Sequence, residues 1–152
     1  MKYVHTNIVA KDSGRLAKFY QDALGCVPVP PERDLSGEWI DKLTGIPGAH
    51  CTGPHLRLPG CGPDGPTLEI FQYDPAALRP EYAVNTPGFT HIAFLVDDVA
   101  EAARVCFEHG ATAVGELVIQ TYIGGRTITV QYLRDPEGNM IELQSWSEAE
   151  QS

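Results

Sequence analysis

The stretch GFTHIAFLVDDVAEAARVCFEHG, residues 88–110, reads as a strand followed by a helix. Its second part sets Val99, Ala102, Ala103, Cys106 and Phe107 at the spacing of one helical face. Asp97 or Asp98 stands where an N-cap belongs, and Gly110 supplies the stop. The same order occurs earlier in the chain. YVHTNIVA (3–10) precedes KDSGRLAKFYQDALG (11–25), where Leu16, Phe19, Tyr20, Ala23 and Leu24 keep helical spacing, Asp12 or Ser13 caps, and Gly25 closes.

Short strand-like runs broken by Gly and Pro follow each helix, around 26–30, 55–59 and 67–73, then around 113–119, 126–133 and 140–146. Each half is therefore expected to be β-α-β-β-β, module 1 over about 3–74 and module 2 over about 88–146. An insertion at about 31–54, containing GEWIDKLTGIPGAH, is expected to be a loop with one helical turn at 38–43. Residues 75–87, with three prolines, read as the linker, and 147–152 as a short tail. The 152 residues suit a single domain with an ordinary core.

Composition removes several function classes. With 43% hydrophobic and 20% charged residues and no apolar run long enough to span a bilayer, membrane insertion is not expected. The start, MKYVHTNIVAKD, lacks the features of a secretory signal, so the cytoplasm is the expected location. Cys26, Cys51, Cys61 and Cys106 show no paired spacing and are expected to be reduced thiols. A formal charge of −9 without a Lys/Arg cluster argues against nucleic acid and anionic membranes as partners.

Side chains in a strand alternate between faces. In MIELQSW (140–146), Ile141 and Leu143 share one face, while Met140, Glu142, Gln144 and Trp146 share the other. In TLEIFQY (67–73), Leu68 and Ile70 lie opposite Glu69, Phe71 and Tyr73. On the opening strands His5 lies opposite Val4 and Ile8, and His91 opposite Ile92, Phe94 and Val96. Each half thus has one His on its first strand and one Glu on its last, on the face away from the apolar one. An ionised Glu inside such a strand needs a partner. One His in a strand is more often a hydrogen-bonded core residue than a ligand, but equivalent positions in two repeated halves change that weighting. Two imidazoles and two carboxylates suit one divalent metal ion of intermediate hardness, with Ni, Co, Mn, Fe or Zn all compatible. The expected fold class is α+β, with two βαβββ modules forming a curved mixed sheet around a metal-binding cleft and helices on the outer face.

The order His5, Glu69, His91, Glu142 on paired modules, with FTHIAFLVDD and RDPEGNMIELQ, resembles the vicinal oxygen chelate superfamily over about residues 3–146. That superfamily includes glyoxalase I, methylmalonyl-CoA epimerase, fosfomycin-resistance enzymes, extradiol dioxygenases and bleomycin-binding proteins. Glu69 departs from the dioxygenases, which leave the corresponding position without a ligand. Four intact ligand types depart from the bleomycin-type binders. Epimerases usually carry Gln at the second position, whereas bacterial glyoxalase I is similar at all four. The resemblance implies a metal-dependent lyase or isomerase that stabilises an enediolate during proton transfer on a small carbonyl, hydroxy-acid or thioester substrate. Glu142 is preferred as the base, with Glu69 its alternative. An acyl-CoA epimerase is the runner-up, and a non-catalytic binding or resistance protein using the same cleft is the reading from another class.

The chain also departs from bacterial glyoxalase I, with EIFQYDP after Glu69 and with the 31–54 insertion. Arg57, on the side of His55, and Arg126, after Gly124 and Gly125, are candidates to meet an anionic substrate, and each is also readable as an ordinary solvated arginine. Trp39, Trp146, Tyr73 and Phe71 either line an apolar substrate wall or pack module against loop. His50, Cys51, His55 and Cys61 can be drawn as a zinc loop, but the spacing is loose and the reading preferred is a variable loop. His109 suits the dipole at the end of the second helix. A homodimer is expected, because edge strands of each module want a partner.

Overall fold

A computed structural model describes residues 1–148; the tail expected at 147–152 lies outside the described residues beyond 148. The chain divides into two compact units, Met1–Pro80 and Glu81–Ser152. The fold is α+β, with mixed sheets and, among the described residues, three helices. Among the described residues no helix is long and apolar enough to cross a membrane.

The first unit runs β1 (His5–Val9), α1 (Ser13–Asp22), β2 (Val27–Pro28), β3 (Arg33–Ser36), α2 (Glu38–Thr44), β4 (His50–Gly53), β5 (His55–Arg57) and β6 (Thr67–Asp74). Asp12 is the N-cap of α1, its carboxylate accepting from the Arg15 amide at 2.9 Å. Gly25 takes the left-handed conformation (φ 69°) beyond its end. The buried stripe Leu16, Ala17, Phe19 and Tyr20 packs on the sheet, where Leu56, Leu68 and Ile70 are closed to solvent. Ser13 ties the start of α1 to β6, its amide and hydroxyl both donating to Gln72 Oε1 at 3.1 Å.

β6 organises the sheet. β1 lies parallel along it, with His5 beside Thr67 and Asn7 beside Glu69. On its other side β5 pairs antiparallel with residues 67–69 and β4 with residues 72–74. The insertion is therefore not the expected loop. Its helical turn extends to the seven residues of α2, and β3 and β4 prolong the sheet beyond it. Two partner segments succeed each other along one strand, and the break between them is at Gly53–Pro54. The Ile70 amide donates to Pro54 O at 3.0 Å, while Gly53 has φ 151° and passes against the Ile70 carbonyl.

The second unit runs β7 (His91–Leu95), α3 (Val99–Glu108), β8 (Thr112–Ala113), β9 (Val118–Thr121), β10 (Thr127–Arg134) and β11 (Met140–Ser147). Asp98 is the N-cap of α3, accepting from the Glu101 amide at 3.0 Å. Val99, Ala103 and Cys106 are buried, but Phe107, expected on the same face, is 40% exposed. The single strand expected at 113–119 is divided into β8 and β9, both paired to β10. β11 is central, parallel to β7 and antiparallel to β10.

RDPEGN turns β10 into β11 around a buried carboxylate. Asp135 Oδ1 accepts from the Glu137 and Asn139 amides at 2.9 Å, and Oδ2 accepts from Asn139 Nδ2 at 2.7 Å. Gly138 supplies φ 85° within the turn.

A Cβ on Gly53 would stand 2.0 Å from the Ile70 carbonyl oxygen, part of the backbone of the central strand. Gly53→Ala is therefore expected to destabilise the protein by about 3 kcal/mol or more in urea unfolding; a change within about 0.5 kcal/mol would contradict this close approach.

Candidate functional site

The alternation expected of the two closing strands is realised residue by residue. Leu68 and Ile70 are fully buried on either side of Glu69, and Ile141 and Leu143 on either side of Glu142. Both carboxylates are left on the opposite face, with side chains 14% and 13% exposed.

In the first unit, His5 Nε2 lies 3.3 Å from Glu69 Oε2, and Asn7 Nδ2 donates to the same oxygen at 3.5 Å. The cross-strand neighbour of Glu69 is His55, whose Nε2 stands 4.0 Å from Oε1 and 2.5 Å from Thr67 Oγ1. Arg33 Nη2 is 3.4 Å from His55 Nδ1. Because a guanidinium only donates, Nδ1 is the accepting nitrogen and Nε2 carries the proton. Burial lowers the pKa of His55, with the Glu69 charge opposing that shift.

In the second unit, His91 Nε2 lies 3.0 Å from Glu142 Oε2. Thr90 Oγ1 is 3.0 Å from His91 Nδ1, which fixes the ring from behind. Tyr132, the cross-strand neighbour of Glu142, donates its hydroxyl to that carboxylate and tilts its ring against His91 with centroids 5.0 Å apart. Burial, and after it the Glu142 charge, raises the pKa of this phenol, so it remains a donor through the neutral range.

Each unit thus holds one imidazole and one carboxylate in contact, the donor types that a divalent metal of intermediate hardness takes. Among the described residues no group of three or more His, Cys, Asp or Glu side chains is gathered to hold a metal ion. The two donors of one unit do not complete a coordination shell on their own. The zinc loop drawn from residues 50–61 is not assembled either: His50 Nε2 pairs with Asp34 Oδ1 at 2.6 Å, buried Cys51 meets Tyr73, and His55 turns to Glu69.

The other expected site residues fall into three places. Phe71 is buried and Tyr73 half-buried on β6, the Tyr73 hydroxyl hydrogen-bonded to Cys51 and its pKa raised by burial. Trp39 is 55% exposed on α2. Trp146 stacks on Tyr122 at 5.8 Å, carries Arg126 over its ring at 4.7 Å, and Arg126 Nε pairs with Glu148 Oε1 at 3.2 Å. That shelf is four residues along β11 from Glu142, about 13 Å at the rise of a strand. Arg57 is half-buried beside His55 on β5, and its Nε is closed to solvent without a hydrogen-bond partner among the described residues. A buried donor left unpaired costs about 1–3 kcal/mol, more when charged.

His55, Asn7, Thr67 and Tyr132 are neighbours of the two carboxylates that the sequence reading missed. Tyr132 had a usable signal, since a hairpin folded about DPEGN pairs it with Glu142. His55 had none, because the long segment 58–66 hides the register.

The model of the family described as the Glyoxalase/Bleomycin resistance protein/Dioxygenase superfamily matches residues 2–143. A glyoxalase domain-containing protein of Mycosarcoma maydis, RDO1, is 34% identical over 79 residues, 51% of this chain and 42% of that protein. The matched stretch therefore spans about two fifths of that relative's length. Among solved structures, a glyoxalase family protein from Bacillus cereus aligns with TM-score 0.74 and 22% identity, covering 96% of this chain and 93% of its own. Glyoxalase I from Zea mays aligns with TM-score 0.61 and 23% identity, covering 94% of this chain and 44% of its own. Likeness at these identities is a likeness of fold.

All four cysteines are free, three of them buried. Burial pushes the Cys26 thiol up to about 12 and the Cys106 thiol up to about 11. Iodoacetamide at mildly alkaline pH is expected to modify Cys61 alone in the native protein and all four thiols after denaturation. Peptide mapping checks this, and rapid native labelling of Cys26 or Cys106 would contradict it.

Proposed function

The chain belongs to the Glyoxalase/Bleomycin resistance protein/Dioxygenase superfamily, and from that premise we propose that it is a divalent-metal-dependent lyase or isomerase of glyoxalase type. Its substrate is a small carbonyl, hydroxy-acid or thioester compound, and its reaction a proton transfer beside the oxygenated carbon. The observation that carries this reading is the doubled pair: His5 with Glu69 and His91 with Glu142, each on the opening and closing strands of its unit.

In this reading the two pairs act together as the ligands, so His5, Glu69, His91 and Glu142 hold one Ni, Co, Mn, Fe or Zn ion. Such an ion supplies Lewis-acid polarisation of neighbouring substrate oxygens. The chain's own groups supply the rest. Glu142 would take the proton as a carboxylate able to leave the ion, oriented by the Tyr132 hydroxyl. Glu69 is flanked at Oε2 by His5 and Asn7 and approached at Oε1 by His55, which suits a carboxylate kept in one orientation. The reading takes residues 1–152 as one functional domain and a homodimer as the working assembly. β9 supports an assembly through its edge, where Val118 and Ile119 are 49% and 67% exposed.

Mass spectrometry of metal content tests the ligand set on protein purified without chelator or affinity tag. About one divalent ion per chain is expected in the parent, lost in His5→Ala and in Glu142→Ala while both keep a native circular dichroism spectrum. Solvent deuterium incorporation into hemithioacetals and acyl-CoA esters then tests the proton transfer. A parent that takes up none of Ni, Co, Mn, Fe or Zn would overturn the enzyme reading and leave a metal-free binder of small molecules.

A further inference from the structure

We propose that Arg57 anchors a carboxylate of the substrate, so that the compound acted on is a small keto- or hydroxy-carboxylic acid. The inference deepens the reading above and rests on it for the identity of the reacting end.

The register of the first unit sets out the local geometry. Thr67 of β6 lies beside His5 of β1 on one side and beside Arg57 of β5 on the other. In the next row, Glu69 lies between Asn7 and His55. Arg57 and His55 alternate with Leu56, which is fully buried beside Leu68, so both belong to the polar face that carries Glu69. Two strand spacings separate the Cα atoms of His5 and Arg57, about 10 Å. A molecule of a few carbons reaches across that span once the length of the arginine side chain is counted.

Arg57 stands apart from the other half-buried arginines. Arg33 is engaged by His55, and Arg134 donates to the carbonyls of Gly138 and Tyr82 at 2.9 Å. The Arg57 side chain makes no hydrogen bond or ion pair among the described residues, and of its nitrogens only Nε is closed to solvent. A guanidinium held in this state leaves its terminal N–H groups to an acceptor from outside the fold. Because Nε is closed off, an outside carboxylate meets the terminal Nη1 and Nη2, two parallel donors at about the spacing of its two oxygens. A single arginine beside Glu69 balances one negative charge, which fits a carboxylate monoanion better than a phosphate dianion.

The test is a titration of the 15N-labelled full chain, after treatment with chelator, following the arginine Nε–Hε resonances. Propionate is the probe, propionamide its neutral counterpart, and inorganic phosphate the competing anion. Propionate is expected to shift the Arg57 Nε–Hε resonance saturably, while propionamide does not and phosphate binds more weakly. Arg57→Met is expected to raise the propionate dissociation constant by at least about tenfold. It should leave Tm unchanged or higher, because an unpaired half-buried charge has been removed. Arg57→Lys, which keeps the charge without the two-donor edge, is expected to recover part of the binding. Equal response to propionamide, tighter binding of phosphate, or unchanged propionate binding in Arg57→Met would overturn the proposal. A lowered Tm with binding intact would make Arg57 a structural residue. Because the titration is run without metal, its failure leaves the metal-content result standing, and a parent without metal leaves the Arg57 response standing.

Discussion

An ionised carboxylate on a strand whose other face is sealed can sit in one register only. Glu69 is bracketed by Leu68 and Ile70, and Glu142 by Ile141 and Leu143, all four fully buried. A slip of one residue would carry the carboxylate into the core and two large apolar side chains out of it. The apolar alternation therefore fixes where each Glu stands, and with it which residues of the neighbouring strands can reach it. His5 and His91 on the parallel neighbours, and His55 and Tyr132 on the antiparallel ones, take their places through that register.

The two units repeat this device with different supports. Glu142 receives a phenol, a donor that stays neutral and shares the carboxylate with His91. Glu69 is faced by a second imidazole, and that imidazole is itself held by Thr67 and Arg33. Arg33 comes from β3, within the segment that interrupts the repeat. The insertion thus contributes to the site: it extends the sheet along the second half of β6 and delivers a guanidinium to the back of His55. The sharp crossing at Gly53–Pro54 is what allows β4 and β5 to share β6 in succession.

The repeat of strand and helix, both caps, and the parity of the four His and Glu residues were legible because each depends on local spacing. Asp12 and Asp98 cap where they were expected, and both glutamates lie on the face opposite the buried residues. What escaped depends on pairing at a distance. β3 and β4 contain Arg, Asp, His and Thr with little apolar alternation, and they are strands because β6 offers them an edge. The division of β8 from β9 likewise follows from pairing with two separate parts of β10. Phe107 kept the helical period yet lies beyond the buried stripe of α3, which is narrower than the spacing alone implied.

The distribution of unsatisfied groups carries the last step. Among the described residues, the buried polar side-chain atoms other than Arg57 Nε have partners inside the fold, down to the Asp135 carboxylate, which accepts three hydrogen bonds within its turn. A chain of net charge −9 has carboxylates to spare for its few cations, so pairing every half-buried arginine would have been easy. Arg57 is left without one on the face that also holds the His5–Glu69 pair. Local rules of pairing are broken where a site must keep capacity for something not covalently part of the chain, and the loss in stability is tolerated there because the core on the other face is fully packed. The unpartnered guanidinium and the paired carboxylate are in that sense opposite ends of one arrangement, since the sealed row of Leu56, Leu68 and Ile70 beneath them holds both on the same side.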